Sequence, residues 1–321
     1  MQVVTQTLSE LNTYKNIDQY QAQKKAVVTI GTFDGVHYGH QQILKKMVDR
    51  ARAEDLTTIL LTFFPHPRMV LQPEYDLKLI NTIDERVDLV AQTGVEHMII
   101  HPFSKEFSRT SAKEYVKDIL VDQLNAGVVV IGYDHHYGRN RSANITDLRK
   151  DAIEYGFELI EITKEEIDEV AVSSTKIRSA INDGDVQTAN QYLSRNFSIH
   201  GTVVKGKQIG RTIGYPTANL KVAEKYKLIP KLGVYITSSI IDGETVYGMT
   251  NIGKNPTVTT SDGSITIETY YLDFNKDLYG QDMELFFHTR LRDEEKFESL
   301  EDLKKIMAQD ELNTRTYASN S

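Results

Sequence analysis

The sequence predicts an α/β first half built on a doubly wound parallel sheet, then a small antiparallel β-barrel closed by a helix. Three observations carry that expectation. Between residues 27 and 162 short β-branched apolar runs alternate with helical stretches, two of which open on capping boxes. From Phe197 onward the hydrophobic period changes from helical to strand-like, and several short strands follow one another. The 321 residues suit two domains at roughly 150 residues each. An Asn-Asp-Gly-Asp break at 182–185 places the domains at 1–184 and 185–321.

The elements follow in order. Residues 1–7 form a short β-like run, read as an edge strand or a lead-in loop. Residues 27–30 are β-branched and apolar, as a buried parallel strand requires. Ile43, Leu44, Met47, Val48 and Ala51 recur at helical spacing over 41–52. A second apolar strand spans 57–64. Thr82 and Glu85 form a capping box for a helix through Val90, and Ser111 and Glu114 form another for a helix through Leu124. Strands are expected at 97–101, 127–132 and 157–162, with a helix at 145–155. Short helices at 177–181 and 186–193 lead into the β-rich half. There, strands are expected at 200–206, 233–241, 245–251, 264–274 and 283–287, the second and third joined by an Asp242-Gly243 turn. A helix over 299–307 ends the pattern, followed by a polar tail.

Composition narrows the function. A formal net charge of −8 argues against a nucleic-acid-binding surface. With no cysteine, disulfides, thiolate metal sites and cysteine nucleophiles are excluded. No apolar run approaches the roughly 18 residues of a membrane span. Residues 1–23 are polar and mixed in charge, unlike a secretory signal. The expectation is a cytoplasmic protein without nucleic-acid or membrane partners, with self-association admitted.

The chemistry-bearing residues fall at strand ends, where ligands sit on parallel sheets. After the first strand comes GTFDGVHYGH, Gly31 to His40. Its glycines let backbone approach a ligand, and His37 and His40 share the first turn of a helix whose N–H groups and dipole suit phosphate. Phe63 and a Pro-His-Pro turn at His66 follow the second strand. That turn reads equally as a rigid bend or as part of the site. Asp134 follows the strand at 127–132. Seven of the nine histidines lie between His37 and His136, and those at strand ends suit a phosphate- or nucleotide-lined crevice better than a core. Ser173, Ser174, Thr175, Lys176 and Arg178 make a hydroxyl-rich helix start with two cations, able to hold phosphate oxygens and offset charge on a leaving pyrophosphate.

GTFDGVHYGH closely resembles the (H/T)xGH signature of nucleotidyltransferases, in the form found in bacterial FAD synthetases, the bifunctional riboflavin kinase/FMN adenylyltransferases. SSTKIR, Ser173 to Arg178, resembles that family's second phosphate motif. GRTIGYPTANL, Gly210 to Leu220, matches its riboflavin kinase hallmark GRxxGxPTANL at every fixed letter. Glu268 to Phe274 and Asp277 to Gly280 resemble its ExxxLDF and DLYG. The resemblance runs from about residue 27 to the last helix. One segment departs: where the family has GxDFxFG, this chain has GYDHHYG, Gly132 to Gly138, with His135 and Tyr137 in place of phenylalanines.

The resemblance implies a nucleotidyltransferase domain that adenylylates FMN to FAD, and a riboflavin kinase barrel that makes FMN from riboflavin and ATP. It implies an ATP site at Gly31, Phe33, Asp34, His37, His40, Ser173, Ser174, Thr175 and Arg178, with flavin at Phe63, His66 and Asp134. In the barrel it implies ATP at Gly206, Gly210, Arg211, Gly214, Thr217, Asn219 and Asn255, and flavin at Glu268, Arg292 and Phe297. Glu268 would take the ribityl proton, while His37, His40 and Arg178 would serve adenylyl transfer. Thr217 and Asn219, a hydroxyl and an amide oxygen on one side of an extended segment, suit Mg²⁺ that bridges ATP phosphates. Two alternatives stand beside this reading: a kinase with weak or lost adenylyltransferase activity, and a non-catalytic flavin or nucleotide sensor.

Overall fold

The computed structural model describes residues 10–133, 135–163, 172–206, 210, 214–254, 265–295 and 299–321. The chain divides into two compact units, Met1–Ser174 and Thr175–Ser321. That division falls in the first turn of a helix, α6 (Ser174–Asp183), rather than at the Asn-Asp-Gly-Asp break that follows it.

The first unit holds β1 (Asn12–Tyr14), β2 (Ala26–Ile30), α1 (Tyr38–Glu54), β3 (Thr57–Phe63), α2 (Pro67–Leu71), α3 (Ile83–Ala91) and β4 (His97–His101). Then come α4 (Ala112–Glu114), β5 (Ala126–Gly132), the short pair β6 (His136–Tyr137) and β7 (Ala143–Asn144), α5 (Ile145–Tyr155) and β8 (Glu158–Ile162). Six strands form one parallel sheet in the order β1-β4-β3-β2-β5-β8. Every residue of β2 and β3 is buried, which is why both read as unbroken apolar runs. Their side chains still alternate. Val28, Ile59 and Leu61 pack with Val116, Leu120 and Leu148 on one face; Val27, Leu60 and Val130 pack with Leu44, Met47 and Val48 on the other. Fully burying each such side chain is worth roughly 1.5–3 kcal/mol.

Both expected capping boxes are present, at Thr82/Glu85 and Ser111/Glu114. After Ser111, however, the chain is α-helical only over Ala112–Glu114 and continues as a π-helix, Tyr115–Gln123. Periodicity over so short a stretch does not separate the two. The expected run at 1–7 lies outside the described residues. The edge strand observed is β1, paired with β4.

Two histidines of β4 fasten that edge. The Tyr14 hydroxyl lies 3.2 Å from His97 Nδ1, and Asn16 Oδ1 lies 3.0 Å from His101 Nδ1. Burial holds both imidazoles below their ordinary pKa. Below about pH 6.5 the unfolded chain therefore takes up protons that the folded chain resists, and stability falls as pH drops. Thermal unfolding should show a lower midpoint at pH 5.5 than at 7.5. The His97→Gln/His101→Gln variant should show a smaller drop; an equal drop would remove these groups as its source.

The second unit holds the rest of α6, then α7 (Val186–Leu193), β9 (Phe197–Val204), β10 (Ala218–Lys221), β11 (Gly233–Ile241) and β12 (Glu244–Lys254). β13 (Ile265–Tyr271), β14 (Asp282–Arg292) and α8 (Leu300–Ser319) complete it. The strands close as a barrel in the order β10-β13-β12-β11-β14-β9. Asp242 and Gly243 both take positive φ, 53° and 84°, as the tight turn between β11 and β12 requires. Inside the barrel the hydroxyls of Thr237, Thr250 and Thr269 form a buried ladder at 2.7 Å per step, so these polar groups are satisfied on the same face as Ile252, Ile267 and Phe287.

The last helix corrects the sequence expectation. It runs to Ser319, through what read as a polar tail. Its outer turns are held by polar contacts that hydrophobic periodicity cannot register. Arg292 pairs with Asp310 through Nε and Nη2, both within 3.0 Å of Oδ2. Arg315 grips Asp273 at 2.7 and 2.9 Å, and Tyr317 packs against Tyr247 and His288. Burial pushes the Asp310 carboxyl above its ordinary pKa, while Arg292 pulls it down. Arg292→Ala would leave that buried carboxylate uncompensated. Urea unfolding should then show a loss of about 3 kcal/mol.

Candidate active sites

In the first unit the site is built on the turn from β2 into α1. Phe33, Gly35 and Val36 take positive φ of 47°, 91° and 37°. Two of these are not glycine, so the turn is strained and must be held from outside. The holding is visible. Asp34 is fully buried, and its carboxylate accepts from the N–H groups of Ile80 and Asn81, each at 3.2 Å. Ser174 Oγ donates to the Asp34 carbonyl at 2.8 Å. Inside the turn, Val36 N donates to Phe33 O at 3.1 Å, and Gln41 Nε2 donates to Val36 O at 2.9 Å.

His37 caps α1, and its Nδ1 accepts from His40 N at 3.4 Å. The two imidazoles stack with centroids 3.6 Å apart and planes at 17°. The Phe33 ring lies 4.6 Å from His40. A Cβ on Gly31 would come within 3.0 Å of the Phe33 ring, so the absence of a side chain there makes room for that ring. The result is a helix N-terminus with paired imidazoles at the carboxyl end of a central strand, an arrangement suited to anionic phosphate.

Other expected residues are placed as follows. Phe63 ends β3 inside an aromatic group with Phe103 and Phe107, at 5.7 and 5.4 Å. His101 joins it, 4.6 Å from Phe107. Sequence reasoning missed Phe103 and Phe107; their position just after β4 was the available signal. His66 caps α2, its Nδ1 accepting from Arg68 N at 3.0 Å, so the imidazole has a structural task at the Pro-His-Pro turn. Asp134 lies outside the described residues. Three positions on in the chain, Tyr137 is 5 % exposed, packs against Tyr115 and donates its hydroxyl to Asp151 at 2.9 Å. Tyr137 is thus accommodated within the core, while His135, half-buried, stacks at 6.0 Å on its ring. Ser173 belongs to the first unit with Ser174, while Thr175 and Arg178 belong to the second.

The second unit carries a separate cluster on its barrel. Asn219 on β10, Glu268 on β13 and Asn251 on β12 stand in register on neighbouring strands. Directly opposed residues share a face, so the three side chains form one polar row. Thr217 Oγ donates to Glu268 Oε2 at 3.2 Å. Asn251 was not singled out from the sequence; only strand register reveals its place.

Two glycines before β10 make close approaches that no side chain would permit. A Cβ on Gly206 would fall within 2.3–2.5 Å of the Asn219 amide, and one on Gly210 would meet the Tyr215 carbonyl at 2.2 Å. Gly214 takes φ of 90° in the turn that Tyr215 N closes on Gly210 O at 2.9 Å. The DLYG segment meets the end of β9 and the residue after it, with Gly280 N donating to Val203 O at 2.8 Å and Lys205 lying 5.9 Å from the Tyr279 ring. Arg211, Asn255 and Phe297 lie outside the described residues. Arg292 sits at the end of β14 with its guanidinium on Asp310, where it anchors α8.

Comparison with known proteins matches each half of the chain to a family of its own. A family model described as FAD synthetase matches residues 19–176, and one described as riboflavin kinase matches 193–318. A bifunctional riboflavin kinase/FMN adenylyltransferase from Listeria monocytogenes is 39% identical over 292 residues, covering 91% of this chain and 92% of that protein. This chain belongs to that family. Relatives of the same description from Pseudomonas fluorescens and Escherichia coli K12 are 36% and 32% identical, each over 92% of this chain and 94% and 93% of their own. A solved structure described as a macrolide-efflux protein from Streptococcus pneumoniae superposes with a TM-score of 0.86 at 32% identity, covering 95% of this chain and 98% of that one. Among the described residues no helix is long and apolar enough to cross a membrane.

Proposed function

We propose that this chain phosphorylates riboflavin to FMN with one ATP and adenylylates FMN to FAD with a second. The observation that supports it most is the coexistence of two unlike sites on separate compact units: a histidine-capped phosphate turn and a Thr217–Glu268–Asn219 cluster on a barrel. In the first step the ribityl 5′-hydroxyl oxygen attacks the γ-phosphorus of ATP. Glu268 accepts its proton and ADP leaves. In the second, an FMN phosphate oxygen attacks the α-phosphorus of another ATP and pyrophosphate leaves. His37, His40 and Arg178 stabilise the charge that develops on it. Neither step needs a protein nucleophile.

The remaining roles follow the clusters. Gly31, Phe33, Asp34, Ser173, Ser174 and Thr175 shape the first ATP site. Of these Asp34 acts through the backbone it braces, since its carboxylate is taken up by Ile80 and Asn81. Phe63, His66 and Asp134 border its flavin. Gly206, Gly210, Arg211, Gly214 and Asn255 shape the second ATP site, and Arg292 and Phe297 border its flavin beside Glu268. Thr217 and Asn219 offer hard, neutral oxygens, and among the described residues no group of three or more His, Cys, Asp or Glu is placed to hold a metal. That donor set fits Mg²⁺, which Thr217 and Asn219 would help to hold and which would supply charge neutralisation. The enzyme is read as cytoplasmic.

The test is direct. Incubation with riboflavin, ATP and Mg²⁺, with products resolved by chromatography and repeated from FMN, should yield FMN and then FAD. FMN accumulating without FAD would reduce the chain to a kinase. Bound flavin without either product would make it a sensor.

A further inference from the structure

We propose that Arg86 is a positioning residue for adenylyl transfer, a role that rests on the reading of the first unit as an adenylyltransferase. Arg86 lies in the first turns of α3 and is completely buried. A guanidinium taken wholly out of water needs partners that offset its desolvation. Here its two prongs lead to the phosphate turn by separate routes. Nη2 lies 3.8 Å from Asp34 Oδ1. Nη1 donates to Thr62 Oγ at 3.4 Å, and Thr62 Oγ donates in turn to the Thr32 carbonyl at 3.1 Å. Asp34 and Thr32 both lie in the strained stretch before His37.

The consequence follows from the strain. Positive φ at Phe33 and Val36 persists only where the surroundings hold it. Asp34 is the internal strut, fixed to Ile80 and Asn81 and receiving Ser174 Oγ on its carbonyl. Arg86 is the cation buried against that strut, and through Thr62 it steadies the turn at a second point. Without it, a buried carboxylate loses its counter-charge and the turn relaxes, carrying His37 and His40 with it. A displacement of about 1 Å at a reacting centre can cost on the order of 100-fold in rate. Lysine would restore charge but not the two-pronged reach.

Three variants of the full chain test this: Arg86→Lys, Arg86→Met and Thr62→Val. The readouts are kcat and KM for FAD formation from FMN, the riboflavin kinase rate of the same sample, and the thermal midpoint. Arg86→Met should lower the adenylyl-transfer kcat about 100-fold and Arg86→Lys about tenfold. Thr62→Val should lower it severalfold. KM for FMN and the kinase rate should stay within about twofold. A purely structural arginine would lower the thermal midpoint but leave kcat per folded molecule unchanged. Wild-type kcat in both Arg86→Lys and Thr62→Val would therefore overturn the inference, whether or not Arg86→Met folds. A wild-type chain that makes FMN but no FAD would overturn the adenylyltransferase reading itself.

Discussion

His40→Ala should lower FAD formation from FMN by about 100- to 1,000-fold, the range for removing one donor aimed at developing charge. The same protein should phosphorylate riboflavin within about twofold of the normal rate. The first expectation rests on location. His40 lies in the opening turn of α1, stacked on His37 at 3.6 Å and flanked by the Phe33 ring. Alanine keeps the helix, because the bond to His37 Nδ1 comes from the backbone N–H of residue 40. What disappears is the imidazole beside the phosphate turn. The second expectation rests on the barrel's separate compact unit and its own Thr–Glu pair. Chromatography of both reactions checks the prediction. Equal loss of both activities would refute independent sites, and an unimpaired rate of FAD formation would remove His40 from the chemistry.

Glu268→Gln should give the mirror result. FMN formation should fall by roughly 100- to 10,000-fold, the contribution of a positioned general base. FAD formation from supplied FMN should be unchanged. Glutamine is nearly isosteric and can still accept the Thr217 hydroxyl through its amide oxygen, so the β10–β13 register has no reason to shift. The loss would then be that of a proton acceptor rather than of a fold. A variant that kept more than a tenth of the kinase rate would deny Glu268 the role of base. The pair of variants separates the activities more cleanly than truncation, since each leaves the chain intact.

Much of this was legible because the signals were local. The β2–α1 turn announces itself through glycines and histidines at fixed spacing, and α3 through a Thr-x-x-Glu box whose two reciprocal bonds both form. The Asp-Gly hairpin turn was equally plain, since few residues adopt two successive left-handed conformations. Other features escaped for an equally physical reason. The extent of α8 depends on Arg292 meeting Asp310 and Arg315 meeting Asp273, pairings between distant elements that hydrophobic periodicity does not encode. Phe103 and Phe107 carry no signal of their own in the sequence, and only the fold brings them to Phe63. Tyr137 read as a substitution near a crevice until the fold supplied Asp151 for its hydroxyl.

Asp34 and Arg86 show the division most sharply. By itself the amino-acid order determined the two-part α/β-then-barrel architecture and singled out most of the residues worth testing, because spacing along a strand or helix dictates which side chains share a face. Only the tertiary structure decided what those residues do for one another. Asp34 looked like a phosphate-loop ligand and is a buried strut. Arg86 drew no attention in the sequence and is the cation buried against that strut. Burial reverses such readings because a charge removed from water must find its partner in space, and Asp34 and Arg86 are 52 positions apart in the chain (86 − 34).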